Sequence, residues 1–96
     1  MVTVWSKKAT LQLQQAFDFI KQDSLQNAEK VRDEIIDATI DIVRHPEKYP
    51  SDKYKTTNDG SYRSFEIHRY RISYRITKDF IRIVRMRHTS RSPLNY

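Results

Sequence analysis

The sequence predicts an α+β domain in which a helical hairpin packs on an antiparallel sheet, in the order β-α-α-β-β-β. Residues 7–44 carry apolar side chains at helical spacing in two stretches, and a polar break separates them. Residues 62–86 form three short segments rich in β-branched and aromatic residues. With 38% apolar residues, the 96-residue chain suffices for one two-layer core. No linker divides it, so we expect a single domain over residues 1–96.

The first part of the chain predicts a strand followed by a helix. Val2–Trp5 alternates and is rich in β-formers, which indicates a short strand. Ser6 follows as a candidate N-cap. Apolar residues then recur every three or four positions through a first helix of roughly Lys7–Lys21. These residues are Ala9, Leu13, Ala16, Phe17 and Ile20.

A second helix is predicted after Asp23-Ser24, where the serine can act as a second N-cap. Its apolar stripe repeats in alternating steps of three and four residues. The stripe consists of Ala28, Val31, Ile35, Ala38 and Ile42. His45-Pro46 ends the helix at about Arg44, because proline cannot continue it.

Three strands are predicted after a polar connector, Pro46–Ser61. It contains the only glycine of the chain, Gly60, at a turn. We expect them at about Tyr62–Ile67, Tyr70–Ile76 and Phe80–Met86. In the middle strand, tyrosine and isoleucine alternate with arginine and serine, so one face packs on the helices and the other contacts water. The last strand mixes both parities, which we interpret as burial in part on both of its faces.

Positive charge is concentrated in the second half of the chain. The net charge is +6; residues 1–48 hold seven Lys/Arg against eight Asp/Glu, and residues 49–96 hold eleven against four. The arginines of the strand region are Arg63, Arg69, Arg71, Arg75, Arg82, Arg85 and Arg87, and Arg91 follows. A sheet does not need so many guanidinium groups to fold, so the excess indicates a polyanionic partner, either nucleic acid or an acidic protein segment. The alternative is a generally soluble basic surface.

The composition excludes several classes of protein. With no cysteine there is no disulfide, no thiolate catalysis and no cysteine-based zinc site. The apolar runs are too short for a membrane span, and MVTVWSKKA lacks the pattern of a signal peptide. We therefore expect a cytoplasmic protein with no membrane partner. The spacing of His45, His68 and His88 is not that of metal ligands, and we predict neither a metal nor a small-molecule cofactor.

Five segments, in their order and spacing, carry a resemblance to a known family. They are VWSKKA, DSLQNAEKV, HPEKYP, YRISYRI and IRIVRMRH. The chain resembles the RelE/ParE superfamily, the toxins of bacterial type II toxin–antitoxin modules, over nearly its whole length. The two long helices and the DSLQNAEKV segment are more similar to the ParE side, whereas YRISY occurs in close variants on both sides. The resemblance implies a toxin that a cognate antitoxin protein holds inactive, through an acidic segment that folds on binding.

The resemblance also implies two catalytic candidates. The ribonuclease members cut mRNA in the ribosomal A site, a reaction that needs a base, an acid and cations for the phosphorane. Arg71 occupies the position at which RelE and YoeB carry a catalytic arginine. YoeB-like and YafQ-like members use a histidine in the region of His88, and a histidine with a pKa near ~6.5 can move a proton at neutral pH. The alternatives are a solvated arginine and a histidine that closes the strand end through a hydrogen bond.

Four further residues are candidates for binding nucleic acid or another target. Arg63, Arg87 and Arg91 carry the charge that phosphate requires. Tyr96 lies about where RelE has a C-terminal tyrosine that is important for cleavage, although a frayed end is an alternative.

The sequence also departs from the ribonuclease members. Tyr62 and Ser64 stand where RelE has paired lysines, and Glu47 is the nearest candidate for the glutamate base of YoeB-like enzymes.

Three function classes therefore stay open. The first is a ribosome-dependent mRNA endoribonuclease, with the ribosome and mRNA as partners, and Arg71 together with His88 favours it. The second is a non-enzymatic poison of DNA gyrase, which the long helical hairpin and the missing lysine pair favour. The third is an inert or purely structural basic module.

Overall fold

The computed structural model describes all residues from 1 to 96. In chain order the elements are β1 (Val2–Trp5), α1 (Lys7–Lys21), α2 (Leu25–Asp41), a 3₁₀ turn (Ile42–Arg44), β2 (Tyr62–Ile67), β3 (Tyr70–Ile76) and β4 (Phe80–His88). The predicted helical hairpin on a sheet is confirmed. The last strand runs to His88, two residues beyond its predicted end at Met86.

Both helices begin at the predicted serine caps. The Ser6 hydroxyl accepts a hydrogen bond from the Ala9 N–H at 3.0 Å, and the Ser24 hydroxyl accepts one from the Asn27 N–H at 3.1 Å. The Ser6 N–H also donates to the Ile83 carbonyl at 2.9 Å. The first cap therefore fixes the start of α1 against β4.

The sheet has the strand order β1-β4-β3-β2. β2, β3 and β4 form an antiparallel meander, as predicted, and β1 lies parallel to β4, so the sheet is mixed. The two-residue turn between β2 and β3 places both His68 (φ 51°) and Arg69 (φ 66°) in the left-handed region. Such turns match the twist of a hairpin but normally use asparagine and glycine.

A β-bulge in β4 explains the mixed parity of that strand. Ser73 of β3 lies opposite Arg85, whereas the next residue, Tyr74, lies opposite Ile83. Val84 therefore has no partner. Every later residue of β4 lies on the face opposite to the one that uninterrupted alternation would give it. The strand is buried in part on both faces, as interpreted, since Arg85 is buried on the face away from the helices. The mixed parity of its apolar residues, however, comes from the bulge. Ile83 before the bulge and Met86 after it both belong to the core on the helix side.

The core lies between the helices and one face of the sheet. Its most buried helical residues are Ala9, Ala28 and Ile35, and the sheet contributes Ile72, Tyr74, Ile81 and Ile83. The small Ala9 and Ala16 side chains are buried in α1, whereas the larger predicted residues Leu13, Phe17 and Ile20 are half-buried. Alanine at the contact lets α1 approach the sheet closely. Neither helix has an apolar stretch long enough to span a lipid bilayer.

Candidate functional site

The sheet face that points away from the helices holds a row of cationic and polar residues. Across β2, β3 and β4, Glu66 lies opposite Arg71 and Arg71 opposite Arg87, while Ser64 lies opposite Ser73 and Ser73 opposite Arg85. We call this surface the arginine face and define it by Arg71, Ser73, Arg85 and Arg87. The bulge at Val84 is what brings Arg85 and Arg87 to it.

Arg71 is held by its neighbours on this face. Its Nη2 donates to Glu66 Oε2 at 3.1 Å, and its guanidinium carbon lies 4.6 Å from the ring centroid of Tyr54 in the connector. An ion pair combined with a cation–π contact restricts the side chain to one orientation. Arg71 is therefore a positioned arginine with two fixed neighbours.

Arg85 is the most buried charged residue of the arginine face. Its side chain is only 7% exposed, yet the ion pairs of the structure involve Arg32, His68 and Arg71 and not Arg85. Burial lowers the pKa of its guanidinium, because a charge is costly outside water. Beside it, Ser73 is fully buried, and its hydroxyl has no hydrogen-bond partner.

Tyr96 covers Arg85. The Arg85 guanidinium lies 4.0 Å from the Tyr96 ring centroid, and the Tyr96 hydroxyl donates to Oδ2 of the buried Asp52 at 2.5 Å. The main chain of Tyr96 pairs with the connector, where its N–H donates to the Tyr54 carbonyl at 3.0 Å and its carbonyl accepts from the Thr56 N–H at 2.7 Å. Burial and then the hydrogen bond to the Asp52 carboxylate raise the pKa of Tyr96. Tyr96 is thus an ordered part of the site.

His88 lies on the opposite face of the sheet from Arg71. It stands across from Tyr70 of β3, and the two rings meet edge to face at a centroid distance of 5.0 Å. Its Nδ1 accepts from the Ser90 N–H at 3.0 Å and lies 2.7 Å from the Ser90 hydroxyl. The structure therefore does not bring the two predicted catalytic residues together.

The other predicted binding residues are distributed over three places. Arg63 lies opposite Tyr74 on the helix side, and its Nη1 donates to the Tyr49 carbonyl at 2.7 Å, which fastens the connector. Arg87 lies on the arginine face, where its Nε donates to the Ser92 carbonyl at 2.8 Å. Arg91 is exposed and lines a groove beside His88.

That groove runs between α1 and β4 and has a volume of about 520 Å³. Its lining includes Gln12, Gln15, Ala16, Phe19, Tyr70, Met86, His88 and Arg91. β1 pairs only with Phe80–Ile83, so no strand covers the outer edge of β4 beyond that point, where the Ser6 hydroxyl donates to the Val84 carbonyl at 3.2 Å. The Gln12 side chain occupies part of this edge by accepting from the Met86 N–H at 2.8 Å. Phe19 projects from α1 beside it and is 66% exposed.

Three residues at or over the arginine face were not among the site residues predicted from the sequence: Asp52, Tyr54 and Arg85. The connector carries no periodic pattern, so nothing in the sequence indicates that Asp52 and Tyr54 fold back over the sheet. Arg85 has the sequence parity of Ile81 and Ile83, and uninterrupted alternation would place it on the helix side. The alternation of β3 correctly predicted that Ser73 lies on the face away from the helices. It did not predict that Ser73 is buried there.

Comparisons with known proteins support the resemblance found in the sequence. Residues 3–93 match the model of the family described as ParE toxin of type II toxin–antitoxin system, parDE. Among solved structures, the chain is similar to one described as the chromosomal ParDE TA system from P. aeruginosa. The TM-score is 0.72 at 15% sequence identity, over 92% of this chain and 95% of that one, which shows a shared fold. No curated protein sequence matches the chain.

Proposed function

The chain belongs to the ParE toxin family of type II toxin–antitoxin systems, and from this premise we propose that it poisons DNA gyrase without cutting RNA. The observation that carries the proposal is the position of Arg71 and His88 on opposite faces of the sheet. A proton-transferring histidine must come within hydrogen-bond reach of the reacting atoms, which Arg71 would hold on the other face. The residues at the RelE lysine positions, Tyr62 and Ser64, add no cation to that face.

A second candidate function is ribosome-dependent mRNA cleavage, and one observation favours it. Arg71, Arg85 and Arg87 lie side by side on one face, and Tyr96 lies over Arg85. Such a cluster suits the charge of a pentavalent phosphate. However, the Tyr96 hydroxyl is bound to Asp52, and Glu66, the nearest carboxylate to Arg71, is paired with that arginine. No free acid or base therefore faces the cluster.

Two assays on purified protein separate these functions. We expect inhibition of supercoiling by DNA gyrase and no cleavage of mRNA on translating ribosomes. Under this proposal Arg71→Ala and His88→Gln leave gyrase inhibition nearly unchanged, because neither residue performs a chemical step. Cleavage of mRNA that Arg71→Ala abolishes in a folded protein would overturn the proposal and favour the ribonuclease.

Membership of this family implies an antitoxin partner, and we propose that an acidic segment of it binds the groove between α1 and β4. Phe19 offers an apolar anchor beside the groove, and no strand covers the outer edge of β4 there, so an extended segment could pair with it by displacing the Gln12 side chain. Arg87 and Arg91 line the groove and supply positive charge. An acidic segment that folds on binding satisfies all three features, as a helix followed by an extended stretch.

The product of the adjacent gene tests this interface. We expect it to bind in low salt and to dissociate more readily as salt rises. Phe19→Ala should weaken binding about 30-fold, as expected for an aromatic anchor. Ile40→Ala is the matched control, since Ile40 is 58% exposed on α2 and does not line the groove. Equal effects of the two variants would exclude the groove as the binding site.

A further inference from the structure

We propose that the outer edge of β1 pairs with the same strand of a second copy of this chain, so that two four-stranded sheets become one continuous sheet in a symmetric dimer. The inference goes beyond the proposed function, because it does not depend on the target of the toxin. It rests on the main-chain groups that β1 leaves unpaired, on the apolar side chains beside them, and on the way in which the strand matches its own copy.

Two residues of β1 direct their main-chain groups away from the sheet. The Ser6 N–H donates to a carbonyl of β4 at 2.9 Å. Because main-chain groups alternate in direction along a strand, those of Thr3 and Trp5 point the other way, to the outer edge. Their N–H and C=O groups form no hydrogen bond with the rest of the chain. The edge therefore offers two donors and two acceptors to a further strand.

The opposite edge of the sheet is covered by the connector. Ser51 forms an antiparallel bridge with Arg63 of β2, and the Asp52 N–H donates to the Tyr62 carbonyl at 2.9 Å. An edge that no segment covers normally carries a charge, a proline or a bulge that prevents pairing with another chain. Val2–Trp5 contains none of these. Of the two edges, β1 is thus the one that can accept a further strand.

The side chains of β1 suit an uncharged partner. Val2 and Val4 lie on the face away from the helices and are 62% and 39% exposed. Val2 lies opposite Phe80 of β4, which extends the apolar surface inward from the edge. The strand itself carries no cation that would attract an acidic segment. A copy of the same strand places valine against valine, a favourable pair across two strands.

A second copy fits the edge in a register that uses only residues of the strand. Around a twofold axis at Val4, Thr3 of each copy faces Trp5 of the other. The outward groups of these residues then form two hydrogen bonds in each of the two pairs. Val4 lies opposite Val4 of the second copy in the position between these pairs, with the Cα atoms about 4.5 Å apart. The strand is therefore complementary to itself, which is what a twofold interface requires.

The dimer should be weak and should strengthen with salt. Pairing of one short strand buries less surface than stable complexes do, so we expect a Kd on the order of 10–100 μM. Each copy carries a net charge of +6, and Arg82, opposite Val4 in β4, comes within about 14 Å of its counterpart across three strand spacings. Salt screens this repulsion, whereas it weakens the binding of an acidic partner. Analytical ultracentrifugation measures both dependences, and a protein that stays monomeric in high salt at about ten times the upper Kd would overturn the proposal.

Cysteine substitutions test the register, because the chain contains no cysteine. Val4→Cys should give a disulfide-linked dimer under mild oxidation, since the expected Cα separation is that of a disulfide. Val2→Cys is the matched control. Val2 lies on the same face and is more exposed, but it would lie about 13 Å from Val2 of the second copy. Linkage of both variants, or of neither, at concentrations above the Kd would overturn the proposal.

A charge on the twofold axis provides a second test. Val4→Lys places two like charges opposite each other and should weaken dimerisation at least about tenfold. Leu94→Lys adds the same charge at an exposed site. Because Tyr96, two residues later, bonds to the connector at the opposite edge, this control should dimerise like the wild type. Circular dichroism checks that both variants fold, and equal dimerisation of the two would show that the dimer uses another surface.

Hydrogen exchange distinguishes a second copy from another occupant of the edge. The Thr3 and Trp5 amides should become protected as the concentration of the wild-type protein rises through the Kd. Protection of these amides only after addition of the product of the adjacent gene, in a toxin that is monomeric alone, would assign the edge to that partner and overturn the proposal.

Discussion

The two faces of the sheet use their polar residues differently. On the helix side, the Tyr74 hydroxyl donates to the Pro46 carbonyl at 2.7 Å and Arg63 Nη1 donates to the Tyr49 carbonyl, so both fasten the connector to the core. On the arginine face, Arg85 is buried without an ion pair, and the buried Ser73 hydroxyl has no hydrogen-bond partner. The division is not complete, because Arg63 Nε on the helix side is also buried without a partner. Substitutions of the polar residues that fasten the connector should therefore cost more stability than substitutions on the arginine face.

The largest effect is expected from truncating the core on the helix side. Ile35 is fully buried in α2, so Ile35→Ala should lower the free energy of unfolding by about 2–5 kcal/mol. Ile40→Ala, on the same helix but exposed, should change it by less than about 0.5 kcal/mol. Urea denaturation measures both. Similar losses would mean that α2 packs with a different face toward the sheet.

The second prediction concerns alkaline pH and Tyr74. Burial raises the pKa of Tyr74 from 10.0 to about 12. As pH rises above about 10, the unfolded chain loses this proton while the folded protein keeps it, so stability falls up to about pH 12. The loss amounts to about 3 kcal/mol. Tyr74→Phe should make this fall in stability less steep without abolishing it, because Tyr70 and Tyr96, whose pKa values are also raised, still contribute. An unchanged curve would contradict the assignment to Tyr74.

The third prediction compares one arginine from each face. Arg63→Ala removes the donor to the Tyr49 carbonyl of the connector and should lower the free energy of unfolding by about 1–3 kcal/mol. Arg71→Ala removes an ion pair with the exposed Glu66 and should lower it by about 0–1 kcal/mol. Thermal unfolding of the two variants at the same pH gives the comparison. A larger loss of stability in Arg71→Ala than in Arg63→Ala would mean that Arg71, and not Arg63, stabilises the fold.

The smallest expected effect lies at the turn that joins β2 and β3. Arg69 has a φ of 66°, where glycine is less strained than any other residue. Arg69→Gly should therefore raise the free energy of unfolding by about 0.5–1 kcal/mol, without changing either face of the sheet. Denaturant midpoints measure this gain, and a loss of stability would show that the Arg69 side chain contributes contacts that outweigh the strain.

The helices and strands could be predicted from the sequence, but the arrangement of the candidate site could not. Periodicity, the two serine caps and His45-Pro46 predicted the bounds of β1, α1, β2 and β3 and placed the helical hairpin correctly, because these signals are local. The contact between Asp52 and Tyr96 joins residues 44 positions apart and carries no local signal. The opposite placement of Arg71 and His88 depends on how β4 pairs with β3, which the bulge alters.

The unpaired Val84 has a consequence for inheritance. The side chains of a strand alternate, and Ile83 and Arg85 already pair with the consecutive residues Tyr74 and Ser73. In-frame loss of the Val84 codon would therefore remove the bulge and leave every later residue of β4 on its present face. Arg85 and Arg87 would stay on the arginine face and Met86 on the helix side. Descendants of such a gene would keep the basic surface with a strand one residue shorter, so counting residues from the YRISY segment to the final arginines would misplace that surface by one position.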